Sequence, residues 1–343
     1  EMMTSVAAIS PVASQSPKEA ANALRLSWLD FTRLTAAYSI VWLHTVRSPE
    51  LVHWSRLGRF AVPFFTAGAV FFAIDGLRRK PNRSIREYTV NRFWRIYLPF
   101  LAWSLIYVLF KGVKKFAMPD EPNDFGGIAV LWTGTYFHLW FMPFILAVTL
   151  GAFAIGKCAA GRVDIAWPLS GAMLVLGLVI ASISPPAWVA NDPDFLSLAW
   201  DALPAACWGL SLAMVCQGKT QRLISNWITT TVSVCAFALL TGWLMAFGRN
   251  VIVENAVGFI LLIAALQPHS PHWVQRVGKF GSVAFGIYLA HMLLVKVCES
   301  AATKLHWPIS WELDLAIFAI AAIGSTWLAW VLARCSHTRW LAA

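Results

Sequence analysis

Ten apolar runs recur along the chain, near residues 28–46, 60–77, 94–112, 136–156, 165–184, 199–216, 226–247, 251–267, 282–299 and 312–334. A helix needs about 20 mostly apolar residues to cross the hydrocarbon core of a bilayer. The pattern therefore predicts an all-α, polytopic transmembrane bundle of about ten helices. Several runs contain Pro or Gly, which membrane helices tolerate where neighbours satisfy the freed backbone groups. The seventh and eighth are separated by no more than a tight turn. The stretch 113–135 carries Lys114, Lys115, Asp120, Glu121 and Asp124 and reads as a surface loop rather than an eleventh helix. The expected organisation is a tail over 1–26 followed by a single membrane domain over 27–343, with no clear internal repeat.

Composition agrees with this pattern. Charged residues make up 13% of the chain and hydrophobic ones 58%, against roughly 25% charged in a soluble domain. The 19 Trp and 22 Phe are of the kind that collects at membrane interfaces. A net charge of +10 raises the question of nucleic acid, but excess Lys and Arg in cytoplasmic loops explains it without such a partner. The segment 78–95 holds Arg78, Arg79, Lys80, Arg83, Arg86, Arg92 and Arg95. If it is cytoplasmic, 17 of the 27 basic residues lie inside, nine outside and Arg33 within the membrane. The loop 185–198, with Asp192, Asp194 and no basic residue, then lies outside, and both termini are cytoplasmic. The first 26 residues are rich in Ala and Ser without an apolar core, which suits a cytoplasmic tail and not a signal peptide. The six Cys (158, 207, 216, 235, 298 and 335) lie mostly within apolar runs and form no CxxC pair. They read as small core residues, not as a disulfide framework or zinc site.

Ionisable residues within the apolar runs are costly and point to function by default. Arg33 and His44 in the first run are eleven positions apart, within about 20° of three full helical turns, and about 16 Å apart along the axis. They share one face, with Arg33 near the inner surface and His44 near the outer. Arg92 and Arg95 fall at the cytoplasmic start of the third helix, three residues apart and on one face. His138 in "FHLWF" and Glu254 belong to the outer level, and His291 lies about midway. Blander readings exist for most of these. Arg92 and Arg95 also suit membrane anchors, His138 beside Trp140 an interface histidine, and Asp30 a neutralising partner for Arg33. His269 and His272 form an HxxH in a polar Ser/Pro loop with no third ligand. His44, deep in its helix and facing the same way as Arg33, is the hardest to explain without function.

The stretch "LDFTRLTAAYSIVWLH", Leu29 to His44, resembles the Arg-x10-His pattern in the first helix of the acyltransferase-3 family of integral membrane acyltransferases. "RFWRIYLPF", Arg92 to Phe100, is similar to the family's Arg-x-x-Arg at the start of its third helix. "VPFFTAG" (62–68), "HLWFM" (138–142) and "GIYLAH" (286–291) are weaker matches in family order, so the resemblance covers roughly residues 28 to 300. One departure is Ala67-Gly68, where many members have Ser-Gly, a change that bears on packing more than chemistry. The resemblance implies a multi-spanning enzyme that takes an acyl group from cytoplasmic acyl-CoA. It delivers that group to a hydroxyl of a glycan, lipid or small molecule, often across the membrane.

The two layers of polar groups suit that task. Acetyl-CoA as co-substrate carries its phosphates on a nucleotide at one end and a thioester at the end of a long pantetheine arm. Arg33, Arg92 and Arg95 form an inner cationic ring, and guanidinium groups suit bidentate phosphate binding. The axial gap from Arg33 to His44 is comparable to the extended arm. His44, as a neutral imidazole, suits a general base, and it could instead accept the acyl group itself. His138, Tyr136 or Asn255 are candidates to stabilise an oxyanion, and Glu254 to orient a histidine. No metal is expected. The expected acceptor is an exopolysaccharide or lipid-linked glycan modified by O-acetylation at a bacterial-type inner membrane, with succinyl or longer donors also open. A proton-coupled transporter is the alternative, with the buried Arg and His as a relay. The missing inverted repeat and the arginines gathered at one mouth argue against it.

Overall fold

The structure, a computed structural model, describes residues 26–117, 127–192, 195–216, 226–268 and 270–342. Residues 1–25 of the predicted tail, His269, Asp120, Glu121, Asp124 and Asp194 lie outside them. Among the described residues the chain is helical and contains no strand. Long helices form at all ten predicted positions: α1 Ser27–Thr45, α2 Ala61–Arg79, α3 in two parts Ile85–Arg92 and Leu98–Ala117, α4 Phe141–Ala159, α5 Val163–Ser182, α6 Leu196–Val215, α7 Trp227–Phe247, α8 Val251–Ala265, α9 Ala284–Lys304 and α10 Trp311–Arg334. Eight of the described helices are long and apolar enough to cross a membrane.

The two that fall short do so for different reasons. At 15 residues, α8 rises only about 22 Å, short of the ~30 Å hydrocarbon core. The 19-residue α1 is long enough but carries Asp30, Arg33 and His44. It lies inside the bundle, packed on α9, α10, α2 and the turns before α2 and α9. Of the expected surface loop 113–135, residues 113–117 with Lys114 and Lys115 continue α3, and the rest of its described part holds two short helical turns, Gly127–Ala129 and Val130–Thr133.

Burial sorts the helices into a core and a rim. In α7 only 11% of the apolar window is buried and in α5 17%, against 67% for the window that contains α2. The apolar faces that α5 and α7 leave open are suited to lipid. Core helices approach one another closely through small residues, as membrane helices do where no aqueous hydrophobic effect drives them together. A Cβ at Gly209 in α6 would run into the Ala67 backbone of α2. Ala67, where many family members have Ser, is fully buried at that crossing. A Cβ at Gly281, in the turn before α9, would strike the Asp30 carbonyl, so the start of α1 rests directly on that backbone.

The cysteine expectation needs correction. All six are free, but only Cys216 is buried; Cys158, Cys235 and Cys335 are exposed. In a bilayer a small apolar side chain can face lipid as readily as core, so an apolar neighbourhood in sequence does not imply interior packing.

Gly281→Val should lower thermal stability in detergent by about 1–3 kcal/mol, the usual cost of overpacking. Gly242→Ala, whose new Cβ would meet nothing within 4 Å, should be neutral or stabilising by up to ~1 kcal/mol. Equal melting temperatures for the two variants would show that α1 does not depend on this contact.

Candidate active site

The arginine end of the site is built by a deformed helix. Ser84 starts α3, its Oγ accepting from the Glu87 N–H at 3.0 Å. The helix then widens into a π turn over Phe93–Tyr97 before resuming at Leu98. Pro99 supplies the reason. It has no N–H to give the Arg95 carbonyl four residues back, and its ring crowds that carbonyl. A π turn absorbs the mismatch, and such turns recur at functional sites. Arg92 leads into it and Arg95 lies within it. The Arg92 Nε donates to Tyr88 Oη at 2.9 Å, with the guanidinium 5.0 Å from the Tyr88 ring centroid. Tyr88 is itself stacked on Phe153 of α4, ring to ring at 3.9 Å. Arg33 reaches the same place from α1, its Nη1 3.7 Å from the Asp30 carboxylate, so Asp30 is the close acidic neighbour expected of it.

Arg33, Arg92 and Arg95 line one cavity of about 420 Å³, within the range of small-molecule sites. Its remaining walls are mostly apolar, among them Phe64, Phe72, Ile96, Phe141 and Phe285. No histidine lines it. Phe141 lies one helical turn beyond His138, and its ring is 5.8 Å from that of Tyr288. Tyr288 in turn lies 5.7 Å from His138 and 6.0 Å from His291. Two aromatic rings therefore separate the cavity from a cluster of imidazoles.

That cluster draws on three helices. His44 near the end of α1 stacks on His291 of α9 at 5.5 Å with 19° between the rings, and its edge meets Phe137 at 5.0 Å. His138, in the turn Phe137–Trp140 that leads into α4, meets His291 at 5.1 Å. The His291 Nδ1 is 2.6 Å from the Tyr288 carbonyl oxygen, and the Tyr288 hydroxyl donates to the His138 carbonyl. Both His138 ring nitrogens and His291 Nε2 are buried without a hydrogen-bond partner. Buried polar atoms are rarely left so, and three in one place make this cluster a candidate site. Although three imidazoles meet, no group of three or more His, Cys, Asp or Glu among the described residues is arranged to hold a metal ion.

The histidine end of α1 is pinned by a group that sequence reading passed over. Asp314, in the first turn of α10, accepts the Arg47 N–H at 3.0 Å and the Ser48 N–H at 2.8 Å, both through Oδ2. Those are backbone donors just past the last turn of α1. Its S-x-x-x-D spacing resembles an ordinary acidic first turn, so nothing in the sequence singled it out.

Other expected residues fall elsewhere. Glu254 is ion-paired with Arg59 at 3.7 Å and Arg249 at 3.9 Å, and Arg249 also binds Asp201. These charges surround Glu254 in place of a histidine. Asn255 is committed to backbone. Its Oδ1 accepts the Ala205 N–H at 3.0 Å, and its Nδ2 donates to the Asp201 and Val251 carbonyls at 2.8 Å each. Asp201 and Ala205 are partners that a regular α-helix would pair with each other. Pro204 lies between them, so the amide repairs a helix that proline disturbs, and Asn255 has no oxyanion role open to it. Tyr136 packs on Tyr107 at 4.6 Å, with Lys111 5.0 Å over its ring. His291, placed midway by its position in the sequence, turns out to join the other two histidines.

A model described as an acyltransferase domain matches residues 26–334. The chain belongs to the acyltransferase-3 family. It is a membrane acyltransferase, and the matched region contains all the arginines and histidines described above. No curated protein and no solved structure matches the chain.

Asp314→Ala should cost this acyltransferase about 2–3 kcal/mol of stability, because two backbone N–H groups, that of Ser48 buried and that of Arg47 partly so, lose their charged acceptor. Asp314→Asn keeps an acceptor oxygen and should lose less. The comparison is made by thermal unfolding together with turnover. Equal stability of the Ala variant and the parent would show that this carboxylate does not hold the end of α1.

Proposed function

We propose that this acyltransferase moves an acetyl group from cytoplasmic acetyl-CoA to a hydroxyl of an extracytoplasmic or lipid-linked glycan, as in exopolysaccharide O-acetylation. The observation that carries the reading is the cavity with three guanidinium groups and apolar walls that ends one helical turn from the histidine cluster. Arg33, Arg92 and Arg95 bind the nucleotide phosphates, where forked donors give geometry as well as charge. The pantetheine arm runs along the Phe-lined wall, and the thioester reaches past Phe141 and Tyr288 as those rings swing aside. His44 takes the proton of the acceptor hydroxyl as its oxygen attacks the thioester carbonyl. The carbonyl collapses with loss of the coenzyme A thiolate, which leaves the ester on the acceptor. His291 keeps His44 in place by stacking, and His138 supplies a donor toward the developing oxyanion. Glu254, bound to arginines, acts as a structural charge at the far side of α1.

Sidedness follows from the basic residues. The loop between α2 and α3 holds the Arg- and Lys-rich segment, so the arginine end faces the cytoplasm and the histidine end faces outward. Donor and acceptor then arrive from opposite faces at a bacterial-type inner membrane.

His44→Ala should reduce transfer by about 10²–10⁴-fold, the usual contribution of a positioned base, while leaving acetyl-CoA binding intact. Arg92→Ala and Arg95→Ala should show the reverse, with weaker donor affinity that raised salt weakens further. Lys at either position should rescue only in part, because it lacks the planar fork. Near-normal turnover of the His44 variant, or unchanged donor affinity in both arginine variants, would refute the assignment.

Sidedness has its own test. In a background without the six native cysteines, Pro81→Cys and Asn191→Cys should label from opposite faces of sealed, oriented vesicles, Pro81→Cys from the cytoplasmic one. Acetyl-CoA should support transfer only from that same face. Labelling of both from one face, or donor activity from the outer face, would end the trans-membrane reading. The secreted glycan of cells with and without the protein, compared by NMR for O-acetyl signals, identifies the acceptor.

A further inference from the structure

We propose that Tyr107 is a positioning residue for the histidine cluster: its hydroxyl, set into the hydrogen-bond ladder of α9, holds open the turn that carries His291. This inference rests on the histidine-centred transfer described above. Tyr107 projects from α3 and is fully buried. Its hydroxyl donates to the Leu289 carbonyl at 2.8 Å and accepts the Leu293 N–H at 3.1 Å. In a regular α-helix that N–H and that carbonyl, four residues apart, bind each other. The phenol stands between them, and His291 is the middle residue of the bridged turn. A side chain inserted into the ladder is one of the established causes of a local bend.

The bridge has consequences for two of the three imidazoles. The direction of His291 depends on the backbone on either side of it, and its Nδ1 already faces the Tyr288 carbonyl one turn back. The Leu289 carbonyl, to which Tyr107 donates, also lies beside the His138 imidazole, although neither His138 nitrogen completes a hydrogen bond. The Tyr107 ring meets His138 edge to face at 5.4 Å. One hydroxyl thus fixes the turn under His291 and the carbonyl next to His138. Were it absent, Leu293 could close onto Leu289, the turn would tighten, and His291 would rotate against His44, on which it stacks. None of this touches the donor cavity, which Tyr107 does not line.

The test is Tyr107→Phe in the full-length enzyme, which keeps the ring and removes the hydroxyl. Turnover should fall about 10–100-fold, the scale of an ångström-level misplacement of a reacting group, and acetyl-CoA affinity should stay within about twofold. The pH profile of kcat should shift, because the imidazoles change neighbours. p-Aminophenylalanine introduced at position 107 can donate and accept at the same point and should recover most of the turnover. Tyr38→Phe is the control: it removes a hydroxyl that bonds Thr326 at 2.9 Å between α1 and α10, and should leave kcat within about twofold.

Turnover of Tyr107→Phe within about twofold of the parent would overturn the proposal. So would a joint fall in kcat, donor affinity and melting temperature, a failure to fold, or no recovery with the amine, since each makes the hydroxyl merely structural. His44→Ala in the same assay separates the two levels of the argument. If His44→Ala is active, the histidine-centred reading fails whatever Tyr107→Phe does. If His44→Ala is inactive and Tyr107→Phe is normal, only the role of Tyr107 fails.

Discussion

In hydrocarbon every backbone N–H and C=O must find a partner within the protein, because no water is there to take its place. The rest of this structure follows from how that demand is met where the helices cannot meet it themselves. Pro99 deprives Arg95 of a donor, and α3 responds with a π turn that carries Arg95 into the arginine-lined cavity. Pro204 disturbs α6, and the Asn255 amide bridges Asp201 and Ala205 across the fault. The chain leaves α1 just after His44, and Asp314 accepts the Arg47 and Ser48 N–H groups there. In α9 the Tyr107 hydroxyl bonds the Leu289 carbonyl and the Leu293 N–H, on either side of His291. Three of these four repairs lie next to the arginines or the histidines. An enzyme that works within a membrane needs irregular backbone to aim its side chains, and can keep it only where another side chain completes the hydrogen bonds.

The axis of α1 links the two halves of the site. Its start rests on the backbone around Gly281 and bears Arg33 toward the cavity. Its end is held by Asp314 and bears His44 onto His291. A rigid helix fixes the axial distance between the arginine cavity and the histidine cluster better than two loops would, since neither residue can shift alone. Its polar residues are also why α1 does not rank with the eight described helices apolar enough to cross a membrane. It packs against other helices, with Arg33 beside Asp30 and His44 against His291, which lowers the cost of carrying them within the bundle.

Between the cavity and the imidazoles stand Phe141 and Tyr288. Large aromatic rings make an effective seal because they fill space without offering a hydrogen-bonding path to water. A thioester close to a base is open to hydrolysis if water follows it in. Separation of the arginine cavity from the histidines by two rings suits the proposed transfer of an acyl group to a hydroxyl instead of its loss to solvent.

The sequence by itself determined the helices and their approximate ends, and gave each polar residue an expected height along its helix. Long apolar runs have few alternatives in a bilayer, and position along such a run converts directly to height. The Arg33–His44 register, the convergence of Arg92 and Arg95 with Arg33, and the family resemblance were legible for that reason. Height says nothing about which helix lies beside which. Glu254 and Asn255 share the outer level with His44, yet one belongs to arginines and the other to a damaged helix. His291, a half-level lower by count, meets both of the other histidines because the 3₁₀ turn before α9 and the close seat of α1 bring the helices into that register. Tyr107 and Asp314 look like an ordinary buried aromatic and an ordinary first-turn acid until the backbone atoms they serve are known. Only the tertiary structure decided these, because azimuth and neighbour depend on packing between helices distant in the chain, and no periodicity within one helix encodes them.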